Sequence, residues 1–339
     1  MNSFAVLTIG LGIILLNLTT CYGALQVGFY KGKCGTKDVE SIIRGVVEKR
    51  FETDRSIVAA LLRMQFHDCF VSGCDASLLL NGASSEKTAP PNLSVRGYDI
   101  IDQAKAAVEE ACRGVVSCAD IISIATRDAV SMSGGMNYKV QTGRRDGFVS
   151  QAKNVNLPPP SISVSDSIAA FAQKGLNKTD MVLLLGGHTV GITHCSLIQN
   201  RLYNFRNSGK PDGTMEPSLA KNLKKLCPRQ LKIDSQVNLD QTFNSSLVVD
   251  NGFYKQVKMR RGILEIDQGL GLDPLTSSIV WSLAADKSNF QARFGAAMIK
   301  LGAVEVLTGN KGEIRKTCGA VNPPKPKPIS NLISSLIKP

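Results

Sequence analysis

Eight cysteines constrain this chain more than any other feature: Cys34, Cys69, Cys74, Cys112, Cys118, Cys195, Cys227 and Cys318. A ninth, Cys21, falls at the end of a leader. Phe4 to Leu18 are nearly all apolar and uncharged, and small and polar residues follow as far as Gly23. A run of that length is short for a membrane-spanning helix and has the make-up of a signal-peptide core, so residues 1–23 are expected to be cut away. An even set of eight cysteines in an exported chain reads as four disulfides. Eight cysteines allow 105 pairings, and spacing does not choose among them. No CxxC pair occurs, which speaks against a thiolate metal site.

The roughly 315 residues left after the leader exceed the usual size of one domain and suggest two, with ample core. No later stretch is long and apolar enough to span a bilayer, so the expectation is an exported protein without membrane partners. The net charge is +12, but Lys and Arg are spread without a basic run or an interleaved aromatic stripe. That pattern argues against nucleic acid and makes an acidic cell-wall polysaccharide the polyanion such a chain would meet.

Apolar residues recur at three-to-four spacing in Ser56 to Phe66, Asp99 to Ala111, Cys118 to Met132, Ser165 to Lys174 and Asp180 to Gly186, and strand-like alternation is scarce. The expected class is mainly α. Ser117 with Asp120 and Ser163 with Asp166 have capping-box spacing, Pro274 suits a first helical turn, and Gly175, Gly302 and Gly309 suit helix ends. Loops are expected at Asn81 to Arg96, Asn154 to Ser161 and Asn207 to Pro217. The segment 319–339 is rich in Pro and Lys and reads as an extended arm or a removable propeptide.

Only three histidines exist, so any imidazole chemistry must use His67, His188 or His194. Arg63 and His67 lie four apart in a helical stretch and share a face, flanked by Phe66 and Phe70. A neutral imidazole beside a fixed cation is a proton acceptor with an anion stabiliser. Asp68, Val71, Gly73, Asp75 and Ser77 then alternate along a turning loop, as oxygen ligands of calcium do; an Asp/Ser-rich turn is the plainer reading. His188 ends an apolar helix at Gly-Gly-His, where a flat cofactor could approach the backbone. A ligand imidazole normally donates its other N–H to a carboxylate or carbonyl, and Asp240, Asp250 and Asp267 are all available downstream; composition does not choose. A non-haem metallohydrolase would need ligands gathered on one face, which scattered histidines do not supply.

The stretches LRMQFHDCFVSGCDASLLL (Leu62 to Leu80) and LLLGGHTVGITHC (Leu183 to Cys195) resemble the distal-haem and proximal-haem signatures of class III, or secretory, plant peroxidases. VSCADII, GRRDG, NLPPP, IDQGL and VLTGNKGEIRKTC continue the likeness in the family's order, from about Gln26 to Cys318. The resemblance implies a two-domain fold with haem b sandwiched between distal and proximal helical domains over residues 24–318. It also implies an enzyme that reduces hydrogen peroxide through a ferryl intermediate and oxidises two phenolic donors by one electron each. In that reading His188 binds the iron and Asp267 takes its N–H. His67 moves the peroxide's protons, Arg63 stabilises developing charge, Asn92 orients His67, Phe66 lies on the distal haem side, and Pro158 stands at the haem edge where donors dock. The haem ligand type is the one general to peroxidases.

The resemblance further implies two calcium ions. Asp68, Val71, Gly73, Asp75 and Ser77 match the distal site; Thr189, Asp240, Asp250 and the Val248 carbonyl match the proximal one, with either Thr242 or Ser245 completing it. The implied disulfides are Cys34–Cys112, Cys69–Cys74, Cys118–Cys318 and Cys195–Cys227, and Asp120 with Arg144 matches a buried ion pair. A monomer, secreted to the cell wall or sorted to the vacuole, is expected. Several positions depart from the family pattern: Tyr138 stands for a tryptophan, Met136 for a proline, and one residue is missing between Asn92 and Arg96, which could displace Asn92. His194 has no family role and reads as an ordinary helix residue. Of the sequons at Asn92, Asn177 and Asn244, the last two are credible glycan sites, and Asn92 should be buried.

Overall fold

Apolar faces repeating every three to four residues must be covered, and the chain covers them with twelve α-helices among the described residues. The computed structural model describes residues 24–324. The expected leader, 1–23, and the tail from 325 on lie outside the described residues.

The first layer comprises α1 (Val39–Thr53), α2 (Ile57–Val71), α3 (Tyr98–Ala111) and α4 (Cys118–Met132). The helices α2 and α4 are buried along most of their length rather than on one stripe, which makes them the central pair. α1 packs on α3 and α4, and α2 packs on α4. Ser117 caps α4 by accepting from the Asp120 N–H, but the Asp120 carboxylate does not reach back as a capping box would. It turns instead to Arg144, 2.7 Å away, with both side chains almost wholly buried.

After two loops come α5 (Val164–Gln173) and α6 (Lys178–Leu185), followed by the short α7 (Gln199–Tyr203) and α8 (Pro217–Leu226), and then α9 (Gly252–Lys258), α10 (Glu265–Leu272), α11 (Ser277–Ala285) and α12 (Lys287–Leu301). Ser163 caps α5 by accepting from the Asp166 N–H, without the return bond of a capping box, whereas α6 opens on a full capping box of Asn177 and Asp180. α9 packs on α11 and α10, and α12 on α6 and α11. Within the described residues the strands amount to two ribbons, β1 (Gln26–Val27) with β2 (Gln141–Thr142) and β3 (Ile192–His194) with β4 (Gln236–Asn238).

Three local expectations are corrected. His194 ends strand β3 opposite Gln236 and is not helical, because pairing with a distant segment claims its backbone. Pro274 lies in the turn before α11 rather than in its first helical turn. Gly309 follows no helix; it occupies a turn with φ +61°, whereas Gly175 at φ +72° does terminate α5.

Four disulfides, Cys34–Cys112, Cys69–Cys74, Cys118–Cys318 and Cys195–Cys227, tie the body together. The chain just beyond Cys318 stays attached: Gly319 accepts from the Asn81 N–H at 2.9 Å, and the Asn322 amide donates to Glu313 and to the Ile314 carbonyl. No helix among the described residues is long and apolar enough to cross a membrane.

Candidate active site

Two imidazoles stand on different layers where α2 meets the turn Gly186–Thr189. Ala59, Arg63 and His67 recur every four residues and so form one stripe of α2. Gly191, three residues after His188, approaches that stripe so closely that an added Cβ would lie 3.1 Å from the Ala59 Cβ, and its φ of +97° is left-handed. A side chain there would push the His188 turn away from α2.

On α2 the Arg63 Nε–H donates to His67 Nε2 at 3.2 Å. Behind the ring, His67 Nδ1 lies 2.6 Å from Asn92 Oδ1, and the Asn92 amide nitrogen donates to the Glu86 carbonyl at 2.8 Å. An amide oxygen only accepts, so the proton sits on Nδ1 and Nε2 keeps its lone pair toward Arg63. The missing residue after Asn92 has not displaced it: Asn92 is buried and in contact. Burial pushes the His67 imidazole down to about 4; the Arg63 charge adds to the shift and the Asn92 bond opposes it. His67 is therefore a neutral base at ordinary pH. Phe66 stacks on Phe70, ring centres 4.7 Å apart, and meets the His67 ring edge-on.

On the other layer, His188 Nδ1 donates to Asp267 Oδ1 at 2.8 Å, and Asp267 is fully buried and also accepts from the Leu264 N–H. Geometry thus selects Asp267 from the three carboxylates that composition left open. Among the described residues nothing bonds to Nε2 of His188, and the side chain is 29% exposed. Phe253 packs edge-on to it, and Gly186 beneath leaves no room for a side chain against Tyr254 and Phe290. Pro158 is half-buried in a loop whose Pro160 carbonyl accepts from the Ile266 N–H, next to Asp267. An open imidazole nitrogen backed by a buried carboxylate, set against a neutral imidazole with a guanidinium, suits a metal porphyrin between them.

The calcium candidates divide into two sets, and both fit a hard cation. Among the described residues no three His, Cys, Asp or Glu side chains gather as a metal cluster, so each set relies on hydroxyls and carbonyls beside two carboxylates. Asp68, in the last turn of α2, and Asp75, in the loop that follows, are buried together, so the sequence-predicted loop set begins on the helix; burial raises both carboxyls, and their mutual repulsion raises Asp68 further. Among the described residues the Ser77 hydroxyl and both Glu86 carboxylate oxygens are buried without a well-formed hydrogen bond. Such surplus negative charge and orphaned oxygens are what a divalent ion relieves. Gly73 packs against the Glu305 backbone, and Lys174 donates to the Val71 carbonyl at 3.1 Å. In the second set, Thr189 Oγ1 lies 3.3 Å from the Val248 carbonyl and 3.4 Å from Asp250, while Asp240 keeps one oxygen buried and unpartnered. Ser245 donates to Asp250 at 3.2 Å, whereas the Thr242 hydroxyl accepts from Gln256; both lie by the cluster.

Sequence reasoning missed what holds Arg63. Its Nη1 donates to the carbonyl and hydroxyl of Ser94, at 3.2 and 3.0 Å, and Nη2 donates to the Pro91 carbonyl at 2.8 Å. Nothing in the local spacing signals a contact across 31 residues.

Comparison with known proteins supplies a family. A family model described as peroxidase matches residues 43–286. Peroxidase 60 of Arabidopsis thaliana is 51% identical over 301 residues, spanning 88% of this chain and 90% of its own. Peroxidase 44 of the same plant is 51% identical over 302 residues, spanning 88% and 93%, and Peroxidase 57 is 48% identical over 301 residues, spanning 89% and 94%.

Proposed function

The chain belongs to the peroxidase family, in its class III plant branch, and from that premise we propose that it is an exported enzyme reducing hydrogen peroxide at the expense of phenolic donors. The observation that carries the reading is the pair of oppositely prepared imidazoles: His67 neutral with Nε2 as acceptor, and His188 with Nδ1 tied to a buried carboxylate.

Haem b would be held through His188 Nε2, and when bound it supplies the iron that takes two oxidising equivalents from peroxide and passes them on singly. Asp267 keeps the His188 N–H polarised, which raises the basicity of the ligating nitrogen. His67 Nε2 takes the proton from the near oxygen of peroxide and returns it to the departing oxygen. Arg63 stabilises the negative charge that grows there. One peroxide and two donors thus give two waters and two donor radicals. Donors would approach beside Pro158. The oxygen sets at Asp68, Val71, Gly73, Asp75 and Ser77, and at Thr189, Asp240, Val248 and Asp250, would each hold a calcium ion. The first set follows His67 directly, so its ion would brace α2 at the catalytic end.

Removal of residues 1–23 and passage to the wall or vacuole complete the proposal. Because Asn322 is bonded to the body, a removable tail would begin after it. Asn177 and Asn244 are exposed and suit glycans, while Asn92 is buried. The test is to purify the protein with haemin, record a Soret band, and follow peroxide-driven oxidation of guaiacol. His67→Ala is expected to keep the Soret band and to lose roughly a hundred- to ten-thousand-fold in peroxide reaction rate. A protein that cannot take up haemin, or a variant with near-normal rates, rejects the assignment.

A further inference from the structure

The loop Pro90–Ser94 touches both distal catalytic groups, and from opposite sides. Asn92 holds the His67 ring from behind at 2.6 Å, while Pro91 and Ser94 hold Arg63 through three bonds of 2.8 to 3.2 Å. A guanidinium has five N–H groups in a fixed plane. Four of them are committed: Nε–H to His67, both on Nη1 to Ser94, and one on Nη2 to Pro91. One N–H, on Nη2, remains for an incoming ligand.

The arrangement has a consequence for electrostatic catalysis. A cation stabilises developing charge well only if it is already oriented, because reorienting it during the reaction costs what the interaction would return. Arg63 stands on a long flexible stem, and its plane is set by acceptors outside α2. Two of the three are backbone carbonyls, which any sequence would offer. The third, the Ser94 hydroxyl, is the only side chain of the loop that touches the guanidinium. Its neighbours do other work: Leu93 is 71% exposed and Val95 is buried.

We propose that Ser94 is a positioning residue for Arg63, setting the guanidinium plane so that its Nε edge faces His67 and the free N–H points to the ligand between them. The proposal rests on the peroxidase reading and adds to it a residue that acts only through Arg63. Charged and titratable groups facing this pair are few: Tyr98 lies within electrostatic reach of Arg63, and Glu86 stands behind Asn92.

The experiment uses the haem-loaded full chain and cyanide, a small ligand that is bound as an anion while His67 keeps its proton. Cyanide affinity is read from the Soret shift in wild type, Ser94→Ala, Ser94→Thr, Arg63→Leu and the Arg63→Leu/Ser94→Ala double variant. Ser94→Ala is expected to weaken binding roughly three- to tenfold, the range for the net worth of one ordinary hydrogen bond, because the two backbone carbonyls still hold the guanidinium. Ser94→Thr should restore it, and Ser94→Ala should add nothing once Arg63 is gone. A merely structural loop residue would change none of these at constant melting temperature. Wild-type affinity in Ser94→Ala, no rescue in Ser94→Thr, or an equal loss in the Arg63→Leu background overturns the proposal. If wild type itself gives no cyanide complex, it is the haem reading that fails.

Discussion

Lowering the pH puts the distal histidine to a sharp test. His67 is 7% exposed, and burial together with the Arg63 charge brings its imidazole from the ordinary 6.5 to about 4. Peroxide chemistry needs the neutral ring. At pH 5 a group titrating at about 4 is about nine-tenths neutral, whereas an ordinary histidine would be about 3% neutral, a roughly thirtyfold difference in rate. The second-order reaction with peroxide, followed by stopped-flow absorbance from pH 3 to 8 in non-coordinating buffer, is expected to stay flat down to about pH 5 and then fall toward tenfold per unit below 4. The same shift affects stability, with a definite sign. Between about 4 and 6.5 the unfolded chain binds a proton that the folded chain refuses, so stability due to His67 is complete above 6.5 and is lost as pH falls toward 4. The loss amounts to about 3 kcal/mol. Buried Asp68, Asp75 and Glu86, the last raised to about 7, act with the opposite sign, so wild type must be compared with a His67→Phe variant rather than read alone. An acid limb centred near 6.5, or equal pH dependence of melting in both proteins, would refute the reasoning.

Two further outcomes follow from the buried polar groups. Asp120→Ala strands Arg144, which is 2% exposed, and deprives Tyr30 Oη and the Gly143 N–H of their acceptor; denaturant unfolding should show a loss of about 3–5 kcal/mol, and a loss below about 1 kcal/mol would mean that the Gly302 and Gln141 carbonyls suffice for the guanidinium. Exhaustive chelation under mildly denaturing conditions should lower the melting temperature and the activity together, with recovery on adding calcium; unchanged melting in excess chelator would remove both ions from the account.

Much of this site was legible because its chemistry is local. Arg63 and His67 are one helical turn apart, so any helix over that stretch brings them side by side. The oxygens from Asp68 to Ser77 lie together for the same reason, on the last turn of α2 and the loop that follows, and an even cysteine count in a chain expected to be exported already pointed to disulfides. Which cysteines joined was another matter: Cys118 and Cys318 are 200 residues apart, and only the family likeness named them before the fold did. The body's grip on Asn322 could not be foreseen from a Pro- and Lys-rich composition.

What composition and spacing left open, and only the family likeness had named for some of them, are the long-range partnerships that the tertiary structure makes. Asp267 rather than Asp240 or Asp250 meets His188 because the fold brings the first turn of α10 to the turn after α6, across 79 residues of chain. Asn92 keeps its place in a shortened loop because His67 and the Glu86 carbonyl hold it from two sides, and that same loop captures Arg63. His194 becomes the end of a strand because Gln236 lies opposite. Periodicity and turn chemistry act over a few residues and can be read along the chain. Burial makes every polar group seek a partner wherever the folded chain supplies one, and that search is settled only in three dimensions.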